Sequence, residues 1–155
     1  MRRIHSAIRR LRGSEGASMI EAALITPMLI MLTVGVMEFG SMLYVFLALQ
    51  NGVSQATRYA VTGSTLGTSN RVDSMKTVMR QATPTLTIPD GAFSFSHLPE
   101  GGSAFVAGAG GPGEVEKVTV AYTWNFFTPL MRPFFPSGRI TIRVDSTMKN
   151  EPKFQ

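Results

Sequence analysis

The chain has 155 residues, room for one small domain and an anchor. It contains no cysteine, which removes disulfides, thiolate nucleophiles and cysteine-bound zinc together. Its net charge of +5 is concentrated at one end, where Arg2, Arg3, Arg9, Arg10 and Arg12 face only Glu15. No basic stripe follows, so a nucleic-acid partner is not expected.

In that basic end, Ile4, Ala7, Ile8 and Leu11 share one helical face between the arginines. The pattern suits a short amphipathic helix on an anionic membrane surface, and equally an unstructured basic tail. Residues 22–49 follow, an apolar run whose one charge is Glu38. As a helix the run extends ~42 Å, more than the ~30 Å of a bilayer's hydrocarbon core. It is expected to cross a membrane once and then project. The arginines before it place the N-terminus in the cytoplasm and the rest outside, in the periplasm or at the cell surface. A secretory signal has a shorter apolar core with its small residues after it. Here Ser14, Gly16 and Ala17 precede the core, so a cut among them keeps the hydrophobic segment in the mature chain.

Residues 13–25 read GSEGASMIEAALI: glycine, four small or apolar residues, glutamate, then an apolar run. This order resembles the prepilin cleavage motif. The resemblance implies a membrane peptidase that cuts after Gly16, leaving Ala17 as the new N-terminus and Glu21 as the fifth residue. A carboxylate in a bilayer costs ~2.5–3.5 kcal/mol at its centre and less near its surface. The new amine at Ala17, on the same chain or a neighbour, is its natural partner, which gives Glu21 a role in subunit pairing. Pro27 frees the carbonyl of Ala23 and is expected to kink the helix. Glu38 lies ~25 Å along the helix from Glu21. It is expected at the opposite interface, solvated by headgroups or paired with a neighbouring subunit.

The first helix is expected over Ser18 to Val61. Val45, Leu49, Val53, Ala56 and Ala60 keep one face apolar through Asn51-Gly52, and Gly63 is its stop. Residues 64–71 are a small-residue linker. A short helix is expected from Asn70 to Ala82, ended by Pro84, then strands at Thr85–Ile88 and Phe93–His97. The glycine-rich stretch 101–113 contains a literal G-x-G-x-x-G at Gly108, Gly110 and Gly113. A strand pattern follows it and Pro112 interrupts it, so it is not a dinucleotide site. Strands are expected over Val118–Phe126 and Ile140–Val144, each alternating with period two. The loop between them holds Pro129, Pro133 and Pro136. Its Leu130, Met131, Phe134 and Phe135 are either buried under the sheet or form a partner-facing patch. His5 and His97 are the chain's two histidines and the head's acids are scattered, so no metal, cofactor or catalytic set is expected.

The fold class is therefore α+β: a long N-terminal transmembrane helix on a small antiparallel sheet, with one short helix. The expected division is a leader over 1–16, the membrane helix over 17–63 and an extracytoplasmic head over 64–155. Beyond the cleavage motif, EAALITPMLIMLTVGVMEFGSMLYV and SQATRYAVTG are similar to the TadE-like family of minor pilins or pseudopilins. Glu21, Pro27, the Glu38-Phe39-Gly40 triplet and Arg58-Tyr59-Ala60 carry that similarity. VTVAYTW, TPL and TMKNEP between Val118 and Pro152 extend it to about half the chain. It implies a part in priming, assembly or adhesion of a tight-adherence pilus. The implied partners are a prepilin peptidase, other minor pilins, the major Flp-type pilin and an inner-membrane assembly platform. Ala22 stands where the major pilin usually has tyrosine, and the head is larger than that pilin's tail, which favours a minor component. The other reading is a permanently anchored extracytoplasmic binding domain that never enters a filament.

Overall fold

The computed structural model of the chain describes residues 2–68 and 70–153, with side chains of the first helix from residue 16 onward. The pattern of Ile4, Ala7, Ile8 and Leu11 thus lies outside the described side chains. Helix α1 runs unbroken from Arg2 to Val61 with Pro27 inside it. It begins well before Ser18, because the leader backbone continues the same helix. Gly63 takes φ 68° and its N–H returns to the Ala60 carbonyl at 3.0 Å, closing the helix in a left-handed turn.

Helix α2 spans Arg71–Ala82. Asn70 caps it by accepting the Asp73 N–H at 2.9 Å. Strands β1 (Phe93–Leu98), β2 (Val106–Ala107), β3 (Val115–Asn125) and β4 (Arg139–Lys149) form one antiparallel sheet in the order β2-β1-β3-β4. Registers Phe93↔Val120↔Val144 and Tyr122↔Ile142 place the apolar residues of three strands on one face. The second half of α1 covers that face, and α2 packs against α1.

The core joins Val45, Leu49, Val53, Ala56 and Ala60 of α1 to Met75 and Met79 of α2 and to Val118, Val120, Trp124, Ile142 and Val144 of the sheet. The helical face read from its spacing is thus the buried one. The helix over 17–63 and the head over 64–155 consequently share one core. Gly52 has a steric task within it. A Cβ there would sit 2.7 Å from Thr83 Cγ2 and 3.1 Å from Met79 Cγ, so the missing side chain lets α2 approach α1.

Three expectations need correction. Thr85–Ile88 is not a strand. Pro84 and Pro89 bracket it and withhold two ladder donors, and the Ile88 carbonyl instead accepts Arg80 Nη2 at 3.0 Å. The two-residue β2 arises within the glycine-rich stretch, where no alternation announces it. Finally, β3 starts at Val115 and β4 runs on to Lys149, so the main hairpin is longer than its hydrophobic alternation.

Candidate membrane anchor and its junction with the head

From residue 16 to residue 33 every side chain of α1 is exposed. Met19, Leu24, Met28, Leu32 and Val36 are all more than 60% exposed, and large apolar side chains continue outward as far as Leu47. Among the described residues, Gly16–Val61 is the one helix long and apolar enough to cross a membrane, with mean hydropathy 2.0 in its most apolar stretch and none of that stretch buried. An apolar side chain left in water forgoes ~1.5–3 kcal/mol. A helix apolar on all sides is therefore built for lipid or for other helices.

Gly16 and Ala17 lie in the exposed helical backbone, and a Cβ on Gly16 would meet no atom within 4 Å. Glu21 is exposed and has no hydrogen bond or ion pair among the described residues. Pro27 lies within the bare half of the helix. Thr33 Oγ1 and Ser41 Oγ return their hydrogen bonds to the carbonyls of Leu29 and Met37, each at 2.8 Å, so these hydroxyls need no water in this segment.

Glu38 behaves differently from Glu21. It is 2% exposed, and both its oxygens are engaged within the chain. Oε1 accepts the Thr128 N–H at 2.6 Å and Oε2 the Phe127 N–H at 3.2 Å. The sequence reading set this carboxylate against headgroups or a neighbouring subunit. The structure turns it inward, because β3 ends at Asn125 and the next N–H groups have no strand to donate to. A helix side chain thereby closes the end of the sheet.

The loop from 126 to 138 divides its apolar residues. Met131 is buried. Phe135 stacks on Phe126 with centroids 4.3 Å apart and meets the edge of Phe39 on α1 at 6.4 Å. Arg132 Nε donates to the Phe126 carbonyl at 3.1 Å and holds the turn. Leu130 and Phe134 remain 44% and 62% exposed, and Phe127 is exposed while covering Trp124 edge-on at 5.0 Å. The structure thus brings Glu38 and the Leu130–Phe135 group together. Glu21, Gly16 and Ala17 stay far down the bare helix.

A second junction escaped sequence reading. Glu116 is fully buried on the core face of β3, two residues before Val118. Its Oε2 accepts the Gly110 N–H at 2.7 Å and lies 3.4 Å from Arg71 Nη2. Arg71 also donates to the carbonyls of Ala60 (2.7 Å) and Gly110. Asn150 Nδ2 donates to the Gly111 carbonyl at 2.8 Å, and the Glu151 N–H reaches the Val61 carbonyl at 3.0 Å. This cluster ties the end of α1, the start of α2, the glycine-rich loop and the end of β4. Burial pushes the Glu116 carboxyl above its ordinary value, opposed by the Gly110 N–H and Arg71. The available signal was the period of β3, which puts Glu116 on the face of Val118 and Val120.

One helix, bare and apolar in its first half and seated on an antiparallel sheet in its second, defines an α+β protein with a helix long and apolar enough to cross a membrane. Residues 16–58 match the family model described as TadE-like protein. The match begins at Gly16 and takes in Ala17, Glu21, Pro27 and Glu38, whereas the similarity noted between Val118 and Pro152 lies outside it. No curated protein and no solved structure matches the chain. A TadE-like segment on a helix able to span a membrane fits a minor pilin-like role.

Proposed function

We propose that this chain is a minor pilin or pseudopilin of a Tad-type pilus, cleaved between Gly16 and Ala17 and held in the membrane by α1. The observation that carries the reading is the bare helix itself: a match to the TadE-like family model opens at Gly16, and Glu21 has no partner among the described residues within an otherwise apolar surface. In the membrane the Ala17 amine of this chain or of a neighbour neutralises Glu21 and sets one helix against the next. Apolar side chains on every side then pack against the helices of other minor pilins and the Flp-type pilin. The head rides outside, poised for priming, capping or adhesion.

Gly16 serves the peptidase by lowering helix propensity ~1 kcal/mol relative to alanine and by leaving the backbone open to approach. Since a Cβ at Gly16 meets nothing, Gly16→Ala tests processing without disturbing packing. In a piliated host, Gly16→Ala is expected to leave the leader attached and remove the protein from the sheared-filament fraction. Wild-type-like processing and piliation in that variant would overturn the proposal. A permanently anchored binding domain would stay in the membrane fraction whether or not filaments are sheared.

A further inference from the structure

The loop between β3 and β4 is bound to α1 at a particular height. Glu38 grips Phe127 and Thr128, and Phe39 meets Phe135. Glu21 and Glu38 lie ~25 Å apart along the helix, and a hydrocarbon core is ~30 Å thick. A bilayer centred on the apolar residues between them ends within a few ångströms of the loop. The composition of the loop suits that level. From Asn125 to Arg139 it contains no acid, but four phenylalanines, Leu130, Met131 and two arginines. Phe127, Leu130 and Phe134 are the exposed apolar members. Arg132 and Arg139 are also exposed, and Arg139 has no ion pair among the described residues. Beside α1 lies a groove of about 620 Å³, with Met37, Gly40 and Tyr44 on the helix side and Leu86, Trp124 and Phe127 opposite. Phenylalanine and leucine with arginines beside them are what interfacial segments present at the boundary of acyl tails and headgroups.

We propose that this loop seats on the lipid interface of the leaflet nearest the head, as a second membrane contact beside α1. Phe127, Leu130 and Phe134 enter the boundary of the acyl region, and Arg132 and Arg139 meet lipid phosphates. The seat holds the sheet at a fixed height and angle above the bilayer before any assembly. The proposal rests on α1 spanning the membrane, and it commits the exposed patch to lipid rather than to a protein partner.

Trp124 is the one tryptophan of the chain and lies under Phe127, so it reports on this contact. The full chain is reconstituted in phosphatidylcholine–phosphatidylglycerol vesicles carrying bromine either high on the acyl chain or near its end. Loss of Trp124 emission is expected with the high bromine and little loss with the low one. Leu130→Asn with Phe134→Asn, both at exposed positions, should reduce that loss while leaving the thermal melt unchanged. Resistance to alkaline extraction together with no quenching by either lipid overturns the proposal and leaves the anchor standing. Stronger quenching by the deeper bromine also overturns it. Release by alkali would instead sink the anchor reading itself. Because the chain lacks cysteine, Phe134→Cys gives a unique crosslinking site. Efficient disulfide pairing between copies at that position would assign the patch to a second copy and overturn the lipid assignment.

Discussion

Glu38 shows how one side chain joins two parts of a molecule with different surroundings. It sits mid-helix, where the bare apolar half of α1 gives way to the half under the sheet, and it is satisfied by two backbone N–H groups that the sheet leaves over. Glu38→Ala strands both donors; each costs ~1–3 kcal/mol if buried, and partial exposure of the loop brings the total to about 2 kcal/mol. The expected outcome in detergent is a melting point lower by ~4–8 °C at ~2–4 °C per kcal/mol, with Glu38→Gln losing less because one acceptor remains. An unchanged melt for Glu38→Ala would show that the clamp contributes nothing. Glu116 makes a prediction about pH. Burial pushes its carboxyl up from the ordinary 4.5, so at pH between the unfolded and folded values the folded state holds a proton that the unfolded chain has released. That contribution to stability therefore falls as pH rises from the unfolded value through the folded one. Melting followed upward from pH 4 should reveal this slope, and Glu116→Gln should flatten it. Asp90 acts oppositely, since its bond to Arg80 lowers its carboxyl, but it is a surface group and salt screens it. Neither glutamate's partner was legible in the sequence. The residues that satisfy Glu38 and Glu116 are brought to them by tertiary folding, and no local spacing encodes such a pairing.

At the scale of elements, the readable parts were those in which one physical rule acts alone. The period of Val45, Leu49, Val53, Ala56 and Ala60 identified the buried face of α1 because packing against a sheet demands an apolar stripe. Alternation in β3 and β4 identified their faces for the same reason. Asn70 was legible as a helix boundary, and its capping bond explains why. Thr85–Ile88 carries β-branched residues that suit a strand, but Pro84 and Pro89 withhold the ladder donors, and the missing donors decide the structure. The pair β2 was illegible because two residues carry no period. Gly52 belongs here too. Filling it with alanine gains up to ~1 kcal/mol of helix propensity, but overpacking against Thr83 and Met79 costs ~1–3 kcal/mol. Gly52→Ala is therefore expected to destabilise the α1–α2 contact by about 1 kcal/mol, read as a lower melting point. A higher one would mean that Thr83 moves freely out of the way.

For the whole molecule, the division that matters is between the half of α1 that the sheet covers and the half that nothing in the chain covers. The covered half fixes the head; the bare half is apolar on every side, which suits lipid or other helices rather than water. That contrast was legible as composition, since charge disappears and apolar residues cease to be periodic before Glu38. Where the bare helix begins in the mature protein is the central claim. The direct measurement is the N-terminal sequence and intact mass of the chain recovered from membranes of cells that express a prepilin peptidase. The account predicts a chain beginning at Ala17 in those cells and an uncut one when the peptidase gene is deleted. A chain that retains residues 1–16 in both would contradict it.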